Sequence, residues 1–66
     1  MRSRLRVLRA EHNLTQADLG ARIGVSRQAI NAVETGKFDP SLELAYRLAR
    51  VFDMPIETLF DLTEFD

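Results

Sequence analysis

The apolar positions fall into short blocks with helical spacing, and a polar or turn-forming residue closes each block. Leu5 and Leu8 lie among Arg4, Arg6 and Arg9, which predicts a first amphipathic helix ending near His12 and Asn13. Thr15 then stands as an N-cap, with Asp18 in the place of a capping-box acid. Leu14 and Leu19 flank that cap at the spacing of a hydrophobic staple. The second helix runs from about Gln16 to Ile23, and Gly24 fits the left-handed position that stops it. Ser26 caps a third helix, about Arg27 to Thr35, which Gly36 ends. Asp39 and Pro40 mark a turn, and Ser41 caps a fourth helix, about Leu42 to Phe52, with Leu44, Leu48 and Phe52 on one stripe. Asp53 and Pro55 punctuate again, and a short fifth helix follows, from about Pro55 to Phe60 or Asp61. No segment alternates with period two for long enough to predict a strand. The pattern is that of a small all-α domain spanning residues 1–66.

The segment from Gln16 to Thr35 is the informative one. Two short helices joined by a turn that opens on Gly make the helix-turn-helix signature. Leu19, Ile23, Val25, Ile30 and Val33 are apolar where the two helices must pack. Gly20 is small where they cross, and Gly24 lies where the backbone needs positive φ. A bulky residue at either glycine is expected to prevent the crossing.

The faces of the third helix differ. At about 100° per residue from Arg27, the positions of Ala29, Ile30 and Val33 fall near 200°, 300° and 240°, the side expected to be buried. Arg27, Gln28, Asn31, Ala32 and Thr35 fall near 0°, 100°, 40°, 140° and 80°, an arc with no large apolar residue. Arg pairs with guanine O6 and N7, Gln and Asn pair with adenine N6 and N7, and Ala can meet a thymine methyl. Arg27, Gln28, Asn31 and Ala32 are therefore the candidate base-reading residues. An ordinary solvated face would hold the same residue types, but the Gly24 turn and the apolar register favour the reading face. Candidate phosphate contacts are Gln16 at the N-terminus of the second helix, Ser26, Thr35, and Lys37 together with the Gly36 backbone amides. Ser26 is expected chiefly to cap its helix. Arg9 and Glu34 are expected to form a partly buried ion pair tying the first helix to the third.

Composition narrows the choice. The 66 residues include no cysteine and one histidine, so disulfides and a Cys or His metal site are not expected. The net charge of −1 gives no support for a nucleic-acid partner, but its distribution does. Residues 1–37 carry seven Lys or Arg against three acids, and residues 38–66 carry two Arg against seven acids. A basic half can face phosphates while an acidic half faces away. No apolar run approaches the ~20 residues a membrane span needs, and Arg4, Arg6 and Arg9 interrupt any secretory signal. A cytoplasmic protein is expected. There is no Gly-rich phosphate loop, no nucleophile–base pair and no metal set, so neither enzyme activity nor a cofactor is expected, and His12 reads as a surface residue.

Several consecutive motifs resemble one family. Leu14-Thr15-Gln16-Ala17-Asp18-Leu19, Ile23 to Ile30 and Glu34-Thr35-Gly36-Lys37 closely resemble the phage repressor and Cro-like, or Xre, helix-turn-helix family. Pro40 to Ala45 and Ile56 to Phe60 resemble its compact stand-alone bacterial members. The resemblance covers about residues 3–61. It implies a five-helix lambda-repressor-like fold with the helix-turn-helix at helices two and three, and a role in transcription, as a repressor, on double-stranded DNA. It implies that Gln16 lies near phosphate, that Arg27, Gln28 and Asn31 lie at base edges, and that Arg9 and Glu34 belong to the scaffold. It also implies a homodimer on a palindromic operator. Gly20 departs from the family's usual Ala. Because the sequence ends soon after helix five, the dimer is expected to use this domain itself, with Leu59, Phe60, Leu62 and Phe65 as candidate contacts. Two rivals remain: an antitoxin, whose toxin partner would need an extra arm not visible here, and a protein-interaction module insensitive to salt.

Overall fold

Each helix starts and stops on chemistry supplied by its flanking residues. The computed structural model describes residues 1–66. Its helices are α1 (Leu5–Glu11), α2 (Gln16–Ile23), α3 (Arg27–Glu34), α4 (Leu42–Val51) and α5 (Ile56–Leu59). Thr15 and Asp18 form both halves of the capping box on α2, with Thr15 Oγ1 accepting from the Asp18 amide at 2.9 Å and Asp18 Oδ2 accepting from the Thr15 amide at 3.0 Å. Hydrogen bonding by Thr15, its backbone amide first, holds the Asp18 carboxyl below its ordinary range. Ser26 and Ser41 cap α3 and α4, each accepting from the amide three residues on at 3.1 Å.

The helix ends repeat one solution. Asn13, Gly36 and Asp53 adopt φ of 55°, 77° and 53° directly after α1, α3 and α4. The amide that follows each one reaches back to a carbonyl five residues earlier: Leu14 to Arg9, Lys37 to Ala32 and Met54 to Ala49. This is the Schellman arrangement, which satisfies carbonyls that would otherwise be orphaned.

The core draws on every helix. Leu5 and Leu8 of α1, Leu19 and Ile23 of α2, Ile30 and Val33 of α3, and Ala45, Leu48, Ala49 and Phe52 of α4 and its cap pack with Leu59 and Phe60. The expected stripe on α4 is shifted. Leu48 and Phe52 are buried but Leu44 is only partly so, and the small Ala45 and Ala49 line the inner side. Leu14 and Val25 pack against the core from its edge. No buried side-chain nitrogen or oxygen lacks a hydrogen-bond partner.

Two expectations fail at the C-terminal end. Pro55 precedes α5 as its N-cap, and the helix closes at Leu59 rather than at Phe60 or Asp61. Phe60 turns extended, with φ −111° and ψ 140°, and Phe60–Asp61 forms a strand, β2, antiparallel to β1 at Arg2–Ser3. Arg2 faces Asp61, Ser3 faces Phe60, and the Arg4 amide donates to the Leu59 carbonyl at 2.8 Å. The chain does contain strands, but two residues each is too short for alternation to register in the sequence. The pairing lets Phe60 enter the core while its backbone stays satisfied. A 3-10 turn, Thr63–Phe65, follows.

Candidate nucleic-acid interface

The α2–α3 unit is held together by a close backbone approach. A Cβ built on Gly20 would lie 2.5 Å from the Val25 carbonyl oxygen and 3.3 Å from the Ser26 carbonyl carbon. The turn therefore runs directly over Gly20, and any side chain there must displace backbone. Gly24 differs from the expectation. Nothing lies within 4 Å of a Cβ at this position, so bulk is not excluded. Its φ of 78° alone makes glycine the favoured residue.

The outer face of α3 is open. Arg27, Gln28 and Asn31 are exposed and Ala32 is half-buried, while Ile30 and Val33 on the opposite side are fully enclosed. Ala29 is partly buried, as its position at the edge of the inner side requires. Arg27 shares one open concavity with Thr15, Gln16 and Ala17 at the start of α2.

Beneath this face lies a charged knot. The Glu34 side chain is 0 % exposed. Its Oε2 accepts from Arg9 Nε at 2.7 Å, and its Oε1 accepts from Arg9 Nη2 at 3.3 Å. Arg9 Nη1 donates to the Leu14 carbonyl at 2.9 Å, so one guanidinium ties α1, the α1–α2 turn and α3 together. Gln16 Nε2 adds a hydrogen bond to Glu34 Oε1 at 3.1 Å and another to Asn31 Oδ1 at 3.1 Å. Burial alone pushes the Glu34 carboxyl up. The hydrogen bonds from Arg9 and Gln16, with the charges of Arg9 and Arg6, outweigh burial and leave it below the ordinary value. The hydrogen bond to Glu34 holds the Arg9 guanidinium above its own ordinary value.

The candidate phosphate residues fare unequally. Both amide hydrogens of Gln16 are engaged within the chain, which its expected role did not foresee. The Thr35 hydroxyl donates back to its own helix, at 3.0 Å from the Asn31 carbonyl oxygen. Ser26 Oγ accepts the capping bond and keeps its own proton free to donate. The Gly36 and Lys37 amides close α3, donating to Val33 and Ala32, so the expected backbone grip at that point is corrected. The Lys37 side chain is exposed and makes no ion pair.

The candidate subunit contacts divide. Leu59 and Phe60 are 0 % and 1 % exposed in the core of this chain, so Leu59 offers no outer surface and Phe60 reaches only the floor of a neighbouring apolar groove. Leu62 and Phe65 do line an apolar groove, with Leu42, Ile56 and Met1. Leu42, 77 % exposed, is absent from the sequence-predicted contacts, yet it stands off the Leu44–Leu48 stripe and that mismatch is visible in the sequence. The basic half is also less segregated than the sequence suggests. Strand pairing sets Arg2 opposite Asp61, and Arg22 shares an open concavity with Arg47 and Arg50 of α4. Arg47 Nη1 donates to the Ile23 carbonyl at 3.1 Å and so caps the end of α2. His12, at the end of α1, packs edge-on against Phe52 with ring centroids 5.0 Å apart.

Comparison with known proteins agrees with this geometry. The helix-turn-helix family model matches residues 5–59. The chain belongs to the Xre/Cro-like helix-turn-helix family of DNA-binding regulators. Within it, the chain is 53 % identical over 60 residues to an uncharacterized helix-turn-helix-type transcriptional regulator of Methanocaldococcus jannaschii, covering 91 % of each chain. It is 48 % identical over 64 residues to one from Archaeoglobus fulgidus, covering 97 % of this chain and 90 % of the relative. A Bacillus subtilis relative is 39 % identical over 64 residues, covering 97 % of both. No helix is long and apolar enough to cross a membrane.

Proposed function

We propose that this helix-turn-helix chain is a sequence-specific transcriptional regulator that sets α3 into the major groove of a palindromic operator and represses by occupying it. One observation carries the reading: Arg27, Gln28 and Asn31 project together from the helix whose other side, Ile30 and Val33, is buried. Arg27 takes a guanine edge, Gln28 an adenine edge, and the Ala32 methyl meets a thymine methyl. The unengaged Gln16 and Ala17 amides at the start of α2 face the phosphate chain, joined by Ser26 Oγ and Lys37. The chain acts as a cytoplasmic homodimer through the groove of Leu42, Leu62 and Phe65, reading half-sites about 10 base pairs apart.

Selection of bound sequences from a random DNA pool tests this directly. The expected result is a two-fold symmetric motif, with affinity that falls steeply as salt rises. Equal binding to selected and random duplexes, or binding indifferent to salt, overturns it.

A further inference from the structure

The side-chain nitrogen of Gln16 sits between two acceptors, 3.1 Å from Glu34 Oε1 and 3.1 Å from Asn31 Oδ1. A primary amide has almost the same shape turned end for end, so its neighbours decide which end points where. Glu34 makes the decision here. It is enclosed and paired with Arg9 at 2.7 Å, and an ionised carboxylate only accepts. The end of Gln16 that meets it must therefore be the NH2. That same nitrogen meets Asn31, and an amide NH2 cannot accept, so Asn31 must turn its oxygen inward. The Asn31 NH2 is left on the exposed face and makes no hydrogen bond within the chain.

We propose that Glu34, acting through Gln16, fixes the direction in which Asn31 reads a base, making it a donor toward an acceptor edge rather than a reversible partner of any base. The inference rests on the DNA-reading function proposed above and assigns one position of the operator. In the major groove, guanine offers N7 and O6, adenine N7 and thymine O4, whereas cytosine offers only its N4 donor. A locked outward NH2 donates to any of the first three and finds no acceptor on cytosine. The hydrogen bond that Oδ1 accepts from Gln16 polarises the amide and strengthens its N–H groups as donors. Gln16 is thus a positioning residue for specificity. With both its amide hydrogens engaged, its side chain has none left for a phosphate.

The test is selection from a randomised duplex pool by the whole chain and by two variants, with affinity for one random duplex measured alongside. Wild type is expected to exclude cytosine at one position of each half-site. Gln16→Met keeps the volume but releases Asn31, and should relax preference at that position by between about two- and tenfold while leaving the Arg27 position unchanged. Asn31→Asp keeps the shape and still accepts from Gln16, but turns an acceptor outward. It should invert the preference at the same position toward the donor edges of cytosine or adenine. If Gln16→Met weakens every sequence equally with base preference intact, Gln16 is a phosphate contact and the inference is overturned. An Asn31→Asp variant with unchanged preference overturns it equally. Those outcomes leave the DNA-reading function standing, whereas a wild type that enriches no sequence defeats both.

Discussion

Arg9 Nε lies 2.7 Å from Glu34 Oε2, and this pair fastens α1 to α3. The Glu34 side chain is sealed from solvent and Arg9 is 17 % exposed, so removing one partner strands a charge. Arg9→Met should cost about 3 kcal/mol, the lower end for a buried pair because Arg9 keeps some contact with water. Urea unfolding at neutral pH measures it. A cost below about 1 kcal/mol would class the pair with surface ion pairs.

The same pair sets a pH dependence. The Glu34 carboxyl is depressed in the folded chain, so the folded state binds its proton less readily than the unfolded state does. Its contribution is fully present above the unfolded carboxylate range, near pH ~4.3, and is lost as pH falls through the lower folded value. The urea midpoint should therefore drop on acidification more in wild type than in Arg9→Met. Parallel curves for the two proteins would show that other carboxylates carry the effect.

The two glycines of the turn should respond differently. Gly24→Ala meets open space and costs only the left-handed backbone, about 1 kcal/mol. Gly20→Val drives a branched side chain into the Val25 carbonyl and should cost about 3 kcal/mol while loosening the α2–α3 crossing. Thermal unfolding ranks them, and a larger loss at Gly24 would contradict the geometry.

Substitutions on the open face should leave the fold intact. Arg27→Ala and Gln28→Ala are each expected to relax preference at the base that side chain reads, with little change in unfolding midpoint, because both side chains are exposed. Lys37→Ala should weaken all sequences alike and reduce the salt slope by about one. A change in preference without a change in affinity would place Lys37 at a base edge instead.

The apolar groove predicts assembly. Leu42→Glu and Phe65→Glu, at residues 77 % and 66 % exposed, should shift the chain to monomer in analytical ultracentrifugation and weaken binding to the two-half-site operator far more than to a half-site. A wild type that is monomeric both free and bound would remove this surface from the function.

Much of the fold is legible in the sequence because local chemistry decides it. Thr15, Ser26 and Ser41 cap helices that begin one residue later, Gly24 takes the left-handed backbone anticipated for it, and Gly36 ends α3 as expected. The Arg9–Glu34 pair also follows from helical phase, since both residues flank buried stripes. The misses are non-local. Nothing near Phe60 in the sequence announces that Ser3 will pair with it, so local signals extend α5 over the strand and offer two core residues as subunit contacts. Periodicity likewise describes Gln16 as a polar residue at a helix start. Its bonds to Asn31 and Glu34, fifteen and eighteen residues away, depend on how the two helices cross.

The clasp between Arg2–Ser3 and Phe60–Asp61 bears on how the protein is made. Helices can form as their residues leave the ribosome, since their bonds are short-range, but this ladder joins residues nearly a chain length apart and carries a larger entropy of closure. A growing polypeptide that lacks Phe60 therefore has a gap in its interior as well as an unpaired edge. Maturation should be a late, all-or-none event, and a nascent chain stalled short of this point should remain open to proteases.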